Sequence, residues 1–291
     1  MIDAVTALMR ACQQVGLDAM DAELIRAGEN TLYRLPGRVV ARVTRPGQGA
    51  AAATEVRVSR WLQQTGVPVV QVLTGVPQPV EVEGRAVTFW RELPDHHEGS
   101  VDQVADILRQ IHGLQAPAEL ALPPLAPFVR LEERITETEV FDGEERDWLL
   151  KHLHGLTQQY ENLPAGLSRA AVHGDAWGGN IVATAAGPVV LDLERFAYGP
   201  PEWDLTSIAV DHFTFGSMSA TAWHRFCTRY GYEVTQWAGY TVLRDARELR
   251  KVTFAAQMAD QQPHLSGQAR YRLACIRGEQ GPRPWHWTPV P

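Results

Sequence analysis

Apolar residues recur with two different periods along this chain, and the change between them divides it. Residues 2–15 carry apolar positions at helical spacing and read as a short amphipathic helix. From about residue 24 the period shortens. Short β-prone runs alternate with turn residues, Gly28-Glu29-Asn30 between the first two and Pro36-Gly37 before the next. In VVARVTR, Val40, Arg42 and Thr44 share one face of a strand, and Val39, Ala41 and Val43 share the other. Residues 50–64 are strong helix material, closed by Gly66 at a C-cap position. VPVVQVL and EVEGRAVTFW predict two more strands, and the irregular ELPDHHEGS predicts a connector.

Helical spacing then returns. Val101, Val104, Leu108 and Ile111 mark one helix, and residues 131–162 read as one or two acidic, leucine-bearing helices. The stretch 170–206 interrupts this pattern with two β-prone runs, AAVHGD and GPVVLDLE, around glycine-rich turns. Helices resume through the last third. The tail, GPRPWHWTPVP, should be extended with its indoles packed on the body. FTFGSMSATAWHRF reads as core, with the apolar wall of a cleft as the alternative. No internal repeat or low-complexity linker is present.

The chain has 291 residues, 45% of them hydrophobic and 21% charged, so it can bury a sizeable core as one large domain or two lobes. No apolar run approaches the ~18 residues of a membrane span, and MIDAVTALMRACQQ lacks the basic lead-in of a signal peptide. Cys12, Cys227 and Cys275 lie far apart, which argues against a disulfide framework or a zinc site and for a reducing, cytoplasmic home. The net charge of -7 argues against nucleic-acid binding. Charge is uneven: residues 1–90 hold 8 acids and 9 bases, and the rest is acidic. Only Lys151 and Lys251 are lysines.

The chemistry concentrates in His173-Gly174-Asp175-Ala176-Trp177-Gly178-Gly179-Asn180. A carboxylate and an amide stand five residues apart on a loop between strands, and a second carboxylate, Asp192, follows twelve residues later. Phosphoryl transfer needs this combination: one carboxylate to orient the acceptor hydroxyl, and an amide oxygen and another carboxylate to hold Mg²⁺ on nucleotide phosphates. Taken singly, Asp175 could cap a turn and Asn180 could be a left-handed turn residue. His173 reads as a scaffold residue rather than a proton carrier.

HGDAWGGN, then VVLDLE, then GPPEWDL resembles the aminoglycoside phosphotransferase family, the small-molecule branch of the protein-kinase-like fold. The resemblance covers most of the chain. It implies a two-lobed α+β fold, with a nucleotide-binding lobe near 1–90, a hinge near 87–95 and a mainly helical lobe over 96–291. It implies that Asp175 is the catalytic base, that Asn180 and Asp192 bind metal and that His173 braces the loop. Glu194 matches an acid often found after the metal aspartate, though a solvated strand end is equally open. Asp204 matches a buried aspartate that ties the following helix to the catalytic loop.

Such a fold needs a cation on the nucleotide phosphates and an acid on a helix to position it. The cation is usually lysine, yet residues 1–150 contain none. Arg42 stands at the expected place, with Arg45 as the alternative and Glu55 as partner; a guanidinium differs from an ammonium in reach and geometry. The phosphate-covering loop would be Ala27-Gly28-Glu29-Asn30-Thr31, with Gly28 and Asn30 offering backbone N–H groups, or it is a plain hairpin turn. The hinge, Thr88 to Leu93 with Trp90 and Glu92, would offer backbone groups to a purine, which leaves ATP and GTP both open. His96 and His97 read as exposed loop histidines.

The expected activity is ATP- and Mg²⁺-dependent transfer of the γ-phosphoryl group to a small-molecule hydroxyl. Residues 131–147 hold eight acids and two arginines, and an acidic wall would suit a cationic antibiotic such as an aminoglycoside. A solvated helix face is the favoured reading of that segment. Asp211, Glu248 and Asp260 are further candidates for the cleft. Trp177, two places after Asp175, is also similar to fructosamine-kinase-like proteins, so an amine sugar, a peptide or a natural-product intermediate are alternative acceptors. A non-catalytic nucleotide-binding module is the alternative of another class. Gly174 stands where regulated protein kinases carry arginine, and no segment ends in an Ala-Pro-Glu-like motif. Monomer and homodimer are both open.

Overall fold

The computed structural model describes residues 2–28 and 30–290, so Glu29 of the proposed phosphate loop lies outside the described residues. The amino-terminal part comprises α1 (Ala4–Val15), β1 (Glu23–Ala27), β2 (Thr31–Leu35), β3 (Val39–Val43), α2 (Gly49–Gln64), β4 (Val80–Val82) and β5 (Arg85–Arg91). Its strands form one antiparallel sheet in the order β1-β2-β3-β5-β4. Asp3 caps α1 by accepting from Thr6 N at 2.7 Å. The alternation in VVARV decides which face meets which helix. Val39, Ala41 and Val43 pack with Ala7, Leu8 and Ala11 of α1, whereas Val40 joins Val56 of α2 and Trp90 of β5. Arg42 is therefore delivered to the α2 side.

The rest of the chain is mostly helical: β6 (His96–Glu98), α3 (Val101–Gly113), α4 (Leu131–Glu137), α5 (Gly143–Glu161), β7 (Ala170–Val172), β8 (Ile181–Thr184), β9 (Gly187–Val190), β10 (Ala197–Gly199), α6 (Glu202–Phe213), α7 (Ala220–Tyr230), α8 (Tyr240–Gln261) and α9 (Ser266–Ile276). Two small sheets, β6-β8-β9 and β7-β10, carry the loops of interest. Val58, Trp61 and Leu62 of α2 belong to the same buried cluster as Leu108 of α3, Ile208 of α6 and Phe226 of α7, so α2 serves both parts. No helix of the described residues is long and apolar enough to cross a membrane, and the three cysteines are unpaired and buried.

Several local expectations change. EVEGRAVTFW is a hairpin, not one strand: Glu83 and Gly84 both take positive φ (46° and 83°), the turn that suits a two-residue connection. VPVVQVL forms single bridges, Val69 to Val190 and Val72 to Trp90, rather than a ladder. Pro68 lacks an N–H, and the segment leaves one sheet for another: Val70 N donates to Val190 O and Leu73 N to Phe89 O. It stitches the two parts together. ELPDHHEGS contains β6, with His96 and His97 exposed and, among the described residues, outside any metal-like grouping. The acidic run 131–147 splits into α4 and α5, and Asp142 and Glu145 form the capping box of α5.

The tail behaves as its composition requires. Trp285 and Trp287 are buried and stack at 5.4 Å; Trp287 also meets the edge of Phe215 and the Arg272 guanidinium. Trp287→Ala should cost about 3–5 kcal/mol, the range for deleting a buried aromatic. Urea unfolding would measure it, and a change below about 1 kcal/mol would mean that the tail is not part of the core.

Candidate active site

The loop from β7 to β8 is held by one buried carboxylate. Asp204, on the first turn of α6, accepts from His173 N at 2.7 Å and Gly174 N at 2.9 Å. His112 of α3 donates to it through Nε2 at 3.1 Å. Asp204 has no exposed surface. Burial would raise its pKa, but His112, by hydrogen bond and charge, and Arg247 hold it below the ordinary value. His173 acts as scaffold: its Nε2 donates to Leu191 O at 2.9 Å and its Nδ1 accepts from Asp175 N at 3.3 Å, which fixes the Nε2–H tautomer. Trp203 Nε1 donates to Gly174 O at 2.8 Å.

Glycine is required at two places here. Gly174 has φ 85°, and a Cβ on it would lie 2.2 Å from Arg195 O. In the Gly178-Gly179 pair, a Cβ on Gly178 would meet Gly99 O at 2.9 Å and one on Gly179 the Trp177 indole at 2.3 Å. The indole thus lies against Gly179.

Asp175 leaves this frame with its side chain partly open to solvent. Arg247 of α8 stacks on Trp203 at 3.9 Å, donates to Trp203 O at 2.9 Å and brings Nη1 to 3.7 Å from Asp175 Oδ1. Burial pushes the Asp175 carboxyl up, but Lys251, Arg247 and Arg195 outweigh it, and the net shift is downward. The group is a weak base, suited to orienting a hydroxyl. Lys251 reaches solvent, yet protein encloses its ammonium closely enough for burial to lower its pKa.

Asn180 donates Nδ2–H to Asp175 O at 2.8 Å, which leaves its carbonyl oxygen for a cation. Leu191 N donates to Asn180 O at 2.8 Å. Since Leu191 O accepts from His173, the Asp192 segment is pinned to the catalytic loop on both sides. Asp192 takes a left-handed conformation, φ 52°, and its Oδ1 is buried without a hydrogen-bond partner. Oxygens of Glu55, Asp192 and Glu194 lie within 4.8 Å of one another. An unsatisfied oxygen within a set of hard donors fits Mg²⁺.

Arg42 completes this cluster. Its Nη1 is 2.9 Å from Glu55 Oε1, and its Nη2 is 2.5 Å from Glu194 Oε2 and 3.8 Å from Asp192 Oδ1. Burial opposes its charge, yet Glu55, Glu194 and Asp192 raise its pKa overall. Glu55 is pushed up to about 8, first by burial and then, against Arg42, by Glu194 and Asp192. The shifts of the two partners pull in different directions. The arginine keeps its proton, and Glu55 beside it is held up chiefly by burial; the nearby carboxylates of Glu194 and Asp192 add to that, and a second cation would relieve their part.

The other candidates divide. Asn30 donates Nδ2–H to Glu194 Oε2 at 3.2 Å and so joins the cluster from the β1–β2 turn. Gly28 sits in the same turn, where a Cβ would make only ordinary contacts. Arg45 is among the charges that lower the Glu133 carboxyl of α4, whereas Glu55 is paired with Arg42. The Trp90 indole is buried and donates to Thr88 Oγ1 at 2.8 Å. Glu92 pairs with Arg34 at 2.6 Å. Asp211 has Lys251, Arg247 and Glu98 as its charged neighbours. Glu248 is buried, accepting from Thr214 and Arg283. Asp260 accepts from Thr138 Oγ1 and Glu139 N, where it secures the α4–α5 link. Arg247, Arg250 and Lys251 escape a motif search, because their only signal is an i, i+3, i+4 run of bases in LRDARELRK.

A loop presenting Asp175 and Asn180 beside a carboxylate cluster, under a sheet that supplies a paired cation, defines a phosphotransferase of kinase-like fold. The chain matches the model of the phosphotransferase enzyme family over residues 22–245, more than half its length, and belongs to that family. No curated protein matches it. Among solved structures it is similar to a choline/ethanolamine kinase family protein from Mesorhizobium loti, at 18% identity over 97% of this chain and 96% of that one, with a TM-score of 0.64. It is also similar to amicoumacin kinase hAmiN in complex with AMP-PNP, Ca²⁺ and Ami, at 14% identity, 95% and 94% coverage and a TM-score of 0.70. Spectinomycin phosphotransferase in complex with ADP and spectinomycin matches at 13% identity, 96% and 94% coverage and a TM-score of 0.63. At these identities the likeness is one of fold.

Two outcomes follow from the buried acids. Asp204→Ala strands two buried amides, and urea unfolding should record a loss of about 3–5 kcal/mol; a loss under 1 kcal/mol would contradict the hub. Asp211 is pushed up to about 6, chiefly by burial, from an ordinary 3.8. Its ionisation costs nothing below its unfolded pKa and the full amount above about pH 6. Asp211→Asn should therefore gain on the wild type between pH 4 and pH 7, by up to about 3 kcal/mol. A difference independent of pH would refute the shift.

Proposed function

We propose that the protein transfers the γ-phosphoryl group of a nucleotide, ATP by default, to a hydroxyl of a small molecule. The observation that carries this reading is the double attachment of Leu191, through His173 and Asn180, which brings Asp192 beside the loop bearing Asp175. In this scheme Asp175 accepts a hydrogen bond from the acceptor hydroxyl. The acceptor oxygen bonds to the γ-phosphorus, the bond to the β-phosphate bridging oxygen breaks, the nucleoside diphosphate leaves, and the hydroxyl proton passes to Asp175. Asn180 and Asp192 would hold Mg²⁺, which neutralises charge on the phosphates when bound. Arg42, set by Glu55, would clamp the phosphates, and Glu194 and Asn30 would release it as nucleotide enters.

Residues 1–90 would form the nucleotide lobe, and the main chain of the 87–95 connector would hold the purine. The side chains of Trp90 and Glu92 are engaged elsewhere, which supports a backbone role there. Structures similar in fold were solved with AMP-PNP and ADP, which supports nucleotide use, and the unpaired cysteines support a cytoplasmic setting.

Transfer from γ-labelled ATP with Mg²⁺, measured against a panel of hydroxyl compounds, tests the reading. Asp175→Ala should lower kcat by about 10²–10⁴ with nucleotide affinity nearly intact. Asp192→Ala should weaken Mg²⁺-nucleotide binding itself. Full activity in Asp175→Ala would sink the assignment.

A further inference from the structure

A cavity of about 320 Å³ lies outside the site around Asp175. Its walls include Tyr160 of α5, Leu163 and Leu167 of the loop that follows, Pro200, Glu202 of α6 and Trp237. Strand pairing sets the separation. Gly199 pairs with Ala170 at one end of the β7–β10 sheet, and Ala197 pairs with Val172 at the other. Leu167 and Pro200 flank the first end, whereas the loop from His173 to Asp175 leaves from the second. Glu202 and Asp204 point about 200° apart around α6, so one lines the cavity while the other holds the catalytic loop.

Two polar atoms of this wall lack partners. Glu202 has no exposed surface. Its Oε1 accepts from Leu167 N at 2.5 Å, but its Oε2 is buried without a hydrogen-bond partner. The Tyr160 hydroxyl is likewise buried and unpartnered. Glu202 forms no ion pair among the described residues, since the cations on its helix turn, His112 and Arg247, go to Asp204. Trp237 Nε1 does not serve it either, being given to Ala165 O at 2.9 Å. Gly166 holds the loop against this carboxylate: a Cβ there would lie 2.1 Å from Glu202 Oε1. Glu161 and Arg169, the other charged residues of the wall, are exposed and opposite in sign. The uncompensated charge is therefore that of Glu202, and a buried carboxylate with one amide donor is short of positive charge. Two oxygens are too few for Mg²⁺ or Ca²⁺, which take about six. The rest of the wall, with Leu163, Leu167 and Pro200, suits a carbon body.

We propose that this cavity binds a small primary ammonium compound, whose N–H groups donate to Glu202 Oε2 and to the Tyr160 hydroxyl while its alkyl body lies on Leu163, Leu167 and Pro200. A quaternary ammonium has the charge but no N–H to give, and an alcohol has a donor but no charge. The site is separate from Asp175 and does not depend on the phosphotransferase reading.

The Leu167 amide gives a local reporter, because it donates to the carboxylate in question. The full-length, isotope-labelled protein would be titrated at constant pH and ionic strength and the Gly166 and Leu167 amide signals followed by NMR. The probes are n-butylammonium, n-butanol, tetramethylammonium and butyrate. Only n-butylammonium should give saturable shifts at these two amides. Its Kd should rise about tenfold or more in Glu202→Gln and about threefold in Tyr160→Phe, and stay unchanged in Asp175→Ala. If Glu202→Gln fails to fold, Tyr160→Phe, which removes one hydroxyl, carries the comparison. No saturable shift up to tens of millimolar would overturn the proposal. Binding of n-butanol or tetramethylammonium as tight as that of n-butylammonium would overturn it, as would an unaltered Kd in folded Glu202→Gln. Loss of binding in Asp175→Ala would also overturn it and assign the amine to the acceptor cleft.

Discussion

A carboxylate without access to water must be matched by donors, and here that need organises the site. Asp204 gathers the two amides of His173 and Gly174 and the imidazole of His112. Three separate elements, α3, α6 and the β7–β8 loop, are thereby brought to one point. The loop conformation that exposes Asp175 is a by-product of satisfying a buried charge. His173 extends the same logic one layer outward, tying the loop to Leu191 and so to Asp192.

The second constraint is electrostatic and spans the two parts of the chain. Arg42 arises on β3 and finds Glu55 on α2, but its second nitrogen is taken by Glu194 from the helical part. One guanidinium among three carboxylates leaves the cluster short of positive charge, and the orphaned Asp192 oxygen marks where the shortage is felt.

Much of this was legible in the sequence, and the reasons differ from residue to residue. The strand alternation of VVARV assigned Arg42 to the α2 face, because a period of two admits no other outcome once one face is buried. The spacing of Asp175, Asn180 and Asp192 survived folding because all three lie on short connections between paired strands. What could not be read are contacts made by helices distant in sequence. Nothing around Arg247 announces that it stacks on Trp203, and His112 gives no hint that it serves Asp204. Glu248 and Asp260 show the converse error. Acids on a helix look alike in sequence, yet one anchors the tail and the other a helix junction. VPVVQVL carries a strand's composition, but Pro68 and its two different partners deny it a ladder.

Gly174 carries a last consequence. With φ at 85° and the Arg195 carbonyl 2.2 Å from where a Cβ would stand, the position is closed to every side chain. An arginine there is what would let a modified segment act on the neighbouring carboxylate. This loop cannot be wired to such a switch, and a protein engineer seeking covalent control over it would have to rebuild the backbone first. At this position the exposure of Asp175 is set by the backbone alone, with no side chain at 174 through which it could be changed.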